Sequence, residues 1–245
     1  MKYKNVIAYF MGVSVLILVW FLFSTIYNSD LIIPNINSVI NSFLRLWGDS
    51  NTYLVILKTI SRIFLTTIVS FIVGVGLAII SNRIEFFRNS VRPIFSVFRV
   101  LPAIACIVIF LFIFSNEYSP IMVSFIVMVP IIYDNCLTAL RGIDKDILDE
   151  LRCQTKLNFK TNIKVLLPII KNILFISFII AFSFGFKAMI MAEYICSSSN
   201  TVGNMIFLYR NDLNISMMYA WILVILLFSI GVEIGVNLLK KKLSE

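Results

Sequence analysis

Apolar residues in this chain gather into long continuous runs separated by shorter polar connections. Six runs, at 6–27, 59–80, 94–114, 121–140, 167–192 and 216–238, are long enough to cross a bilayer as helices. Such a crossing takes roughly 20 mostly apolar residues, because hydrocarbon offers no partner to a backbone amide and each must be paired inside its own segment. The pattern predicts an all-α membrane protein of six transmembrane helices, built as one domain over residues 1–245. The first run follows Met1-Lys2-Tyr3-Lys4. It is longer than the core of a signal peptide and lacks a small-residue cleavage site, so it is expected to be a retained helix.

Two connections are long enough to carry structure of their own. In the first, 28–58, Pro34-Asn35-Ile36-Asn37-Ser38 precedes Val39, Ile40, Phe43, Leu44 and Trp47 at helical spacing, which predicts an amphipathic helix capped by Ser38 and lying on the outer membrane face. The second, 141–166, holds Ile143, Ile147, Leu148 and Leu151 at helical spacing behind Asp144, a capping residue. The polar stretch 154–158 ends that helix, and Phe159, Ile163, Leu166 and Leu167 lead into the fifth run. The expectation is two short helices outside the membrane, presenting charge and a few apolar knobs.

Lysine and arginine set the expected orientation, since short basic loops stay in the cytoplasm. With the N-terminus inside, the cytoplasmic segments hold Lys2 and Lys4; Arg83, Arg88 and Arg92; Arg141, Lys145, Arg152, Lys156, Lys160 and Lys164; and Lys240, Lys241 and Lys242. The outer connections hold Arg45, Lys58 and Arg210. That imbalance predicts both termini in the cytoplasm of a bacterium, with the chain multi-pass in its inner membrane.

Composition fits this setting. The chain is 60% hydrophobic and 14% charged, too apolar for a surface that water must wet. Its net charge of +8 is dispersed among the apolar runs rather than gathered on one face, which argues for lipid contact and against nucleic acid. With no histidine there is no imidazole for a metal or for acid-base chemistry, and Cys106, Cys136, Cys153 and Cys196 are too scattered for a metal site or a disulfide framework. No metal, no catalytic residue and no cofactor bound by this chain is expected.

Several short motifs carry a resemblance. In the second long connection, Leu167-Pro168 follows Asp149, Glu150, Leu151 and Thr155 with the spacing of a signature that reads Glu-Ala-Ala, three residues, Gly, and a stretch ending in Leu-Pro. Phe98-Arg99-Val100-Leu101-Pro102-Ala103-Ile104-Ala105 matches a Leu-Arg-x-x-Pro-x-x-Ala pattern, and Leu31-Ile32-Ile33-Pro34, Ala192-Glu193 and Thr201-Val202-Gly203 fall in order around it. Together these resemble the permease subunits of binding-protein-dependent ABC importers, in the branch that carries nitrate, taurine and aliphatic sulfonates. The resemblance implies the type I importer permease fold and a loop that docks as a coupling helix on a separate ATP-binding cassette ATPase dimer, through Asp149, Glu150, Leu151, Arg152, Thr155, Leu157 and Phe159. Threonine at 155 departs from the family glycine and changes the turn, because glycine tolerates positive φ and threonine does not. The resemblance also implies a second permease copy, an extracytoplasmic substrate-binding protein, and ATP with Mg on the ATPase. The chain has no Gly-x-x-x-x-Gly-Lys-Ser motif of its own with which to hold nucleotide phosphates.

Ionisable residues inside the runs are the candidate pathway or gate groups, since charge at membrane depth tends to face a cavity or a partner. Arg99 and Asp134 share a depth and either pair with each other or touch solute. Lys187 either attracts an anion or snorkels to the interface. Glu193 ends a helix or serves a gate. Gly231 with Gly235, and Gly74 with Gly76, are expected to let helices approach closely. Two rival classes remain open. An ion-gradient-driven transporter would show inverted repeats and midplane acids, and no clear repeat is present. A transmembrane component of an energy-coupling-factor importer is loosely resembled at Ala139-Leu140-Arg141-Gly142. A membrane-embedded enzyme would need a convergent nucleophile, base or metal cluster, and none is apparent.

Overall fold

The computed structural model describes residues 2–27, 29, 31–154 and 162–244. All regular structure among these residues is helical. In chain order the helices are α1 (Lys2–Tyr27), α2 (Ile36–Leu46), α3 (Ser50–Arg83), α4 (Glu85–Val100), α5 (Ala103–Ile113), α6 (Ser119–Arg141) and α7 (Lys145–Gln154). A π turn, Asn162–Leu166, and a short helical turn, Leu167–Ile169, then lead into α8 (Lys171–Cys196), α9 (Val202–Asn211) and α10 (Ile215–Ser244).

Four helices among the described residues are long and apolar enough to cross a membrane: α3, α6, α8 and residues Ile215–Gly235 of α10. The predicted run at 94–114 is not one straight helix. It breaks between α4 and α5, which meet at 103° and would make a fifth crossing if the bent pair is one span. Pro102 is the cause. Its ring disfavours the helical region for the residue before it, and Leu101 accordingly sits at φ −62°, ψ 127°. Having no N–H, Pro102 starts the next helix instead, and its carbonyl accepts from the amides of Ala105 and Cys106 at 2.9 and 3.3 Å.

The core is a three-helix sandwich in which α6 packs between α3 and α8. Along α3, Thr66, Ser70, Gly74 and Ala78 recur every fourth residue and all are buried. A stripe of small side chains is what lets two helices close up where lipid gives no hydrophobic drive to association. Gly74 is the tightest point, since a Cβ there would lie 2.9 Å from Ile132 Cβ and 3.2 Å from the Val129 carbonyl. Gly185 of α8 meets α6 in the same way, against Met128. Between them Ile63, Met128, Ile132, Cys136, Ala181 and Met189 are completely buried. Tyr133 crosses from α6 to donate to Ser81 Oγ at 2.9 Å, with Phe95 of α4 set edge-on at 4.8 Å.

Not every glycine expected at an interface is in one. Gly76, Gly231 and Gly235 have nothing within 4 Å of an added Cβ, because they lie on outward faces of α3 and α10. The connection at 28–58 does form an amphipathic helix, but it begins at Ile36 with Asn35 as its cap, three residues before the expected cap Ser38. It covers the start of α10, burying Leu46 beside Trp221 and Ala220. Helix α1 joins at the edge. Trp20 donates to the Pro34 carbonyl at 3.3 Å and meets the Tyr219 ring, tilted at 39°, at 5.5 Å, while Met11, Leu18, Phe21 and Ile26 stay exposed.

The contrast between glycines is testable by thermal unfolding of the purified protein in detergent. Gly74→Ala forces Ile132 and the α6 backbone outward and is expected to cost about 1–3 kcal/mol. Gly231→Ala meets open space and is expected to change stability by less than about 0.5 kcal/mol. Equal melting temperatures for the two variants would contradict this packing.

Candidate functional site

A cluster of linked ion pairs lies at one end of the bundle, where α3 and α6 begin and α8 ends. Glu193, three residues from the end of α8, is completely buried. A carboxylate removed from water in this way is very costly unless it is paired and its lone pairs are satisfied. Four contacts do so. Arg62 of α3 brings Nη1 to 3.5 Å from Oε1, Thr59 donates its hydroxyl to Oε2 at 3.0 Å and lies 3.3 Å from Oε1, and the Gly203 amide donates to Oε2 at 3.4 Å. The Thr59 oxygen in turn accepts from the Val202 amide at 3.0 Å, so one hydroxyl ties α3 to α8 and to the start of α9.

Gly203 is dictated by this arrangement. A Cβ there would fall 2.6 Å from Glu193 Cβ, from the Ile190 carbonyl oxygen and from the Tyr194 nitrogen. Only a residue without a side chain lets the start of α9 lie this close to α8. The two short motifs Ala192-Glu193 and Thr201-Val202-Gly203 therefore belong to one structural unit. Thr201 caps α9 by accepting from the Asn204 amide at 3.3 Å, and its hydroxyl donates to the Ser198 carbonyl at 2.8 Å.

A second carboxylate extends the cluster. Glu117, in the connection between α5 and α6, lies 3.7 Å from Arg62 Nη1 and 3.4 Å from Lys58 Nζ. Arg62 also donates through Nη2 to the Glu117 carbonyl. The Ser199 amide donates to Glu117 Oε1 at 2.7 Å, and Lys58 donates to the Ser199 carbonyl at 2.6 Å. Beside these bonds, Ser198 donates its hydroxyl to the Asn116 carbonyl. Burial would raise the Glu117 carboxyl, but the Ser199 amide, Lys58 and Arg62 outweigh it and hold the group below its ordinary value of 4.5. Its contribution to stability is accordingly full above that value and is lost as pH falls through the lowered one. Two cations and two anions from α3, α8 and one loop thus form a clasp across the end of the bundle.

Of the residues singled out in the sequence, Arg99 and Asp134 come together, with Nη1 2.6 Å from Oδ2 and both side chains partly exposed. The pair joins α4, just before the Pro102 break, to the middle of α6. Lys187 is not near Glu193 among the described contacts. It lies on an exposed face of α8, with its ammonium 6.0 Å from the centroid of the Phe184 ring. Asp149, Glu150, Leu151 and Arg152 lie on α7, while Thr155, Leu157 and Phe159 lie outside the described residues. Sequence reasoning singled out none of Thr59, Arg62 and Glu117. The signal was present in Arg62 itself, an arginine within an apolar helix that must find a carboxylate somewhere.

Comparison with known families agrees with the all-helical membrane architecture. Residues 70–245 match the family of binding-protein-dependent transport system inner membrane components. The chain belongs to that family. A search of curated proteins found no match. The chain is therefore a membrane permease of the ABC importer class, a non-catalytic transport component, and the first 69 residues precede the matched region. Within the permease, Lys58, Thr59 and Arg62 lie in that preceding part, whereas Glu117, Glu193 and Gly203 lie in the matched part. The clasp stitches the two together.

Arg62→Met removes the one guanidinium shared by both carboxylates and leaves Glu193 buried beside apolar atoms. It is expected to destabilise the permease by about 3–5 kcal/mol, seen as a large fall in detergent melting temperature. Glu193→Gln in the same background should recover much of the loss by removing the stranded charge. A single Arg62→Met variant as stable as the parent would contradict the clasp.

Proposed function

We propose that this permease forms the translocation pathway of an ATP-driven importer for a small polar or anionic solute, of the sulfonate, taurine, nitrate or thiamine-precursor type. An extracytoplasmic binding protein delivers the solute, two permease copies enclose the path, and an ATP-binding cassette ATPase dimer carrying ATP and Mg drives it from the cytoplasm. In this reading α1 and the bent α4–α5 pair complete six spans, both termini are cytoplasmic in a bacterial plasma membrane, and the clasp lies at the outer face.

The observation that carries the reading is α7. It is a ten-residue helix, too short and too polar to span, set between α6 and α8 at the end of the bundle opposite the clasp. Asp144 accepts from the Asp146 amide at 3.2 Å at its start, and Asp146, Ile147, Asp149 and Glu150 are exposed along it. Buried Ile143 and Leu140 root it to the core formed by α3, α6 and α8. A rigid helix with an exposed Ile147 and an acidic rim suits a groove on an ATPase. Movement of that ATPase would then pass to α6 and α8 as rigid-body rotation, because packed interfaces have discrete arrangements rather than continuous ones. Thr155, Leu157 and Phe159, outside the described residues, are assigned to the same contact by the family resemblance alone.

The clasp supports a gating role for its end. Arg62 Nη1 lies 3.5 and 3.7 Å from the two carboxylates, while Nη2 donates to the Glu117 carbonyl. A guanidinium shared between two anions in this way can favour one or the other as the helix ends move. The broken α4–α5 pair is the one feature that a gradient-driven transporter would share, and family membership with α7 favours the ATP-driven reading over it.

Replacing Asp149, Glu150 and Leu157 together by alanine is expected to abolish co-purification of the cognate ATPase while the protein still inserts and folds. Retained assembly with full transport would remove the coupling assignment.

A further inference from the structure

Helix α4 runs across the bundle rather than along it. Helix α5 gives the reference direction. Its Ile107 shares a buried cluster with Val123, and its Phe110 carbonyl accepts from the Ser119 hydroxyl at 2.9 Å, so α5 lies antiparallel along the first half of α6. Helix α4 meets it at 103°. Depth along α6 agrees. Tyr133 donates to Ser81, two residues before the end of α3, and also packs on Phe95 of α4, while its neighbour Asp134 holds Arg99. About 15 Å of helix between Glu85 and Phe95 therefore passes at one level of the bundle. That level lies towards the end from which α7 projects, away from the clasp.

Three stripes of side chain run along α4. Val91, Phe95 and Phe98 pack on the core formed by α3, α6 and α8. Arg88, Arg92 and Arg99, spaced by four and seven residues, fall within about 40° of arc on a second side. Phe86, Ile94, Val97 and Val100 lie nearly opposite the arginines and are exposed, Phe86 by 82% and Val100 by 83%. Apolar side chains on one flank and arginines on the other suit a helix lying in a membrane interface, the first among acyl chains and the second among headgroups.

The arginines are not fully matched by the protein. Arg88 pairs with Glu85 at 2.5 Å and Arg99 with Asp134 at 2.6 Å. The Glu85 side chain is 77% exposed, so water screens its hold on Arg88. Arg92 lies between the two pairs and is exposed. Among the described residues no carboxylate is within ion-pairing distance of it, and it feels only the field of Asp134, which Arg99 already holds.

We infer that α4 docks on the anionic phospholipid headgroups of the leaflet at the α7 end, with Arg92 and Arg88 on the phosphates and Phe86, Ile94 and Val97 among the acyl chains. Within the bent pair, α5 continues the crossing and the turn at Pro102 is where the chain leaves the surface. Lipid fits better than a second protein copy, because a boundary between oil and headgroups accounts for apolar and cationic stripes on opposite flanks of one helix, and a single protein surface does not. The inference goes beyond the importer reading and takes from it only that the α7 end is cytoplasmic.

The test uses full-length permease carrying Cys153→Ser in nanodiscs of phosphatidylcholine and phosphatidylglycerol. Nitroxide labels are placed singly through Phe86→Cys, Ile94→Cys and Val97→Cys, and their depth is read from accessibility to oxygen and to a water-soluble nickel chelate. All three are expected at one shallow depth. A depth that increases steadily from 86 to 97 would overturn the docking, as would labels shielded from both reagents, which assign the flank to a second copy. Headgroup choice is read on unlabelled protein from the retention of spin-labelled phosphatidylglycerol against phosphatidylcholine. The parent is expected to prefer phosphatidylglycerol by about threefold or more, Arg92→Gln to lose most of that preference, and Glu85→Gln, which releases Arg88, to increase it. Equal retention of both lipids, or a preference unmoved by Arg92→Gln, would contradict the assignment. ATPase association on the same preparations separates the two readings. Lost lipid preference with association retained removes this surface alone, whereas retained preference with no association removes the importer reading and leaves the surface standing.

Discussion

A carboxylate with no access to water governs the architecture of one end of this permease. Glu193 cannot be accommodated at the end of α8 by α8 alone, because each of its oxygens needs a donor and its charge needs a cation. The donors come from α3, through Thr59 and Arg62, and from the start of α9, through Gly203. Meeting that requirement fixes the relative position of three helices. It demands glycine at 203 and draws the connection before α6 inward, since Arg62 is shared with Glu117. The ion pairs here set geometry more than they add stability.

The two ends of the bundle are built on different principles. The clasp end is stitched by charge and by hydrogen bonds spanning 134 and 143 residues of sequence. The middle is closed by small side chains, Thr66, Ser70, Gly74 and Ala78 against α6 and Gly185 against Met128, with almost no polar adhesive. At the far end α7 stands off the core on the short connection after α6. A rigid centre between a charged clasp and a projecting helix suits a lever, because displacement of one end need not repack the middle.

How much of this was legible in the sequence depends on the range of the interaction. Apolar runs are a local property, so α3, α6, α8 and most of α10 fall where hydropathy predicts them. The acidic, amphipathic α7 and the helix before α3 follow from local periodicity, with an error of three residues at Asn35 that reflects a cap made without a side-chain hydrogen bond. The break at Pro102 was written in a single residue but was hidden by the continuous hydrophobicity on both sides of it. Arg99 and Asp134 could be associated because neighbouring spans place them at one depth. The clasp could not, since Arg62 and Glu117 are 55 residues apart and nothing local to Glu193 says which helix supplies its cation. Glycine patterns misled in the other direction: Gly74 closes a helix pair, whereas Gly231 and Gly235 face outward although their spacing is the more familiar one.

The account stands on work delivered from a separate ATPase through α7 to a pathway that the clasp closes. The most direct measurement is solute uptake by proteoliposomes holding this permease with its ATPase and receptor, with ATP supplied on the ATPase side and ion gradients collapsed. Accumulation that requires hydrolysable ATP, and disappears when the ATPase is left out, is the predicted result. Accumulation driven by an ion gradient in vesicles lacking the ATPase would contradict it.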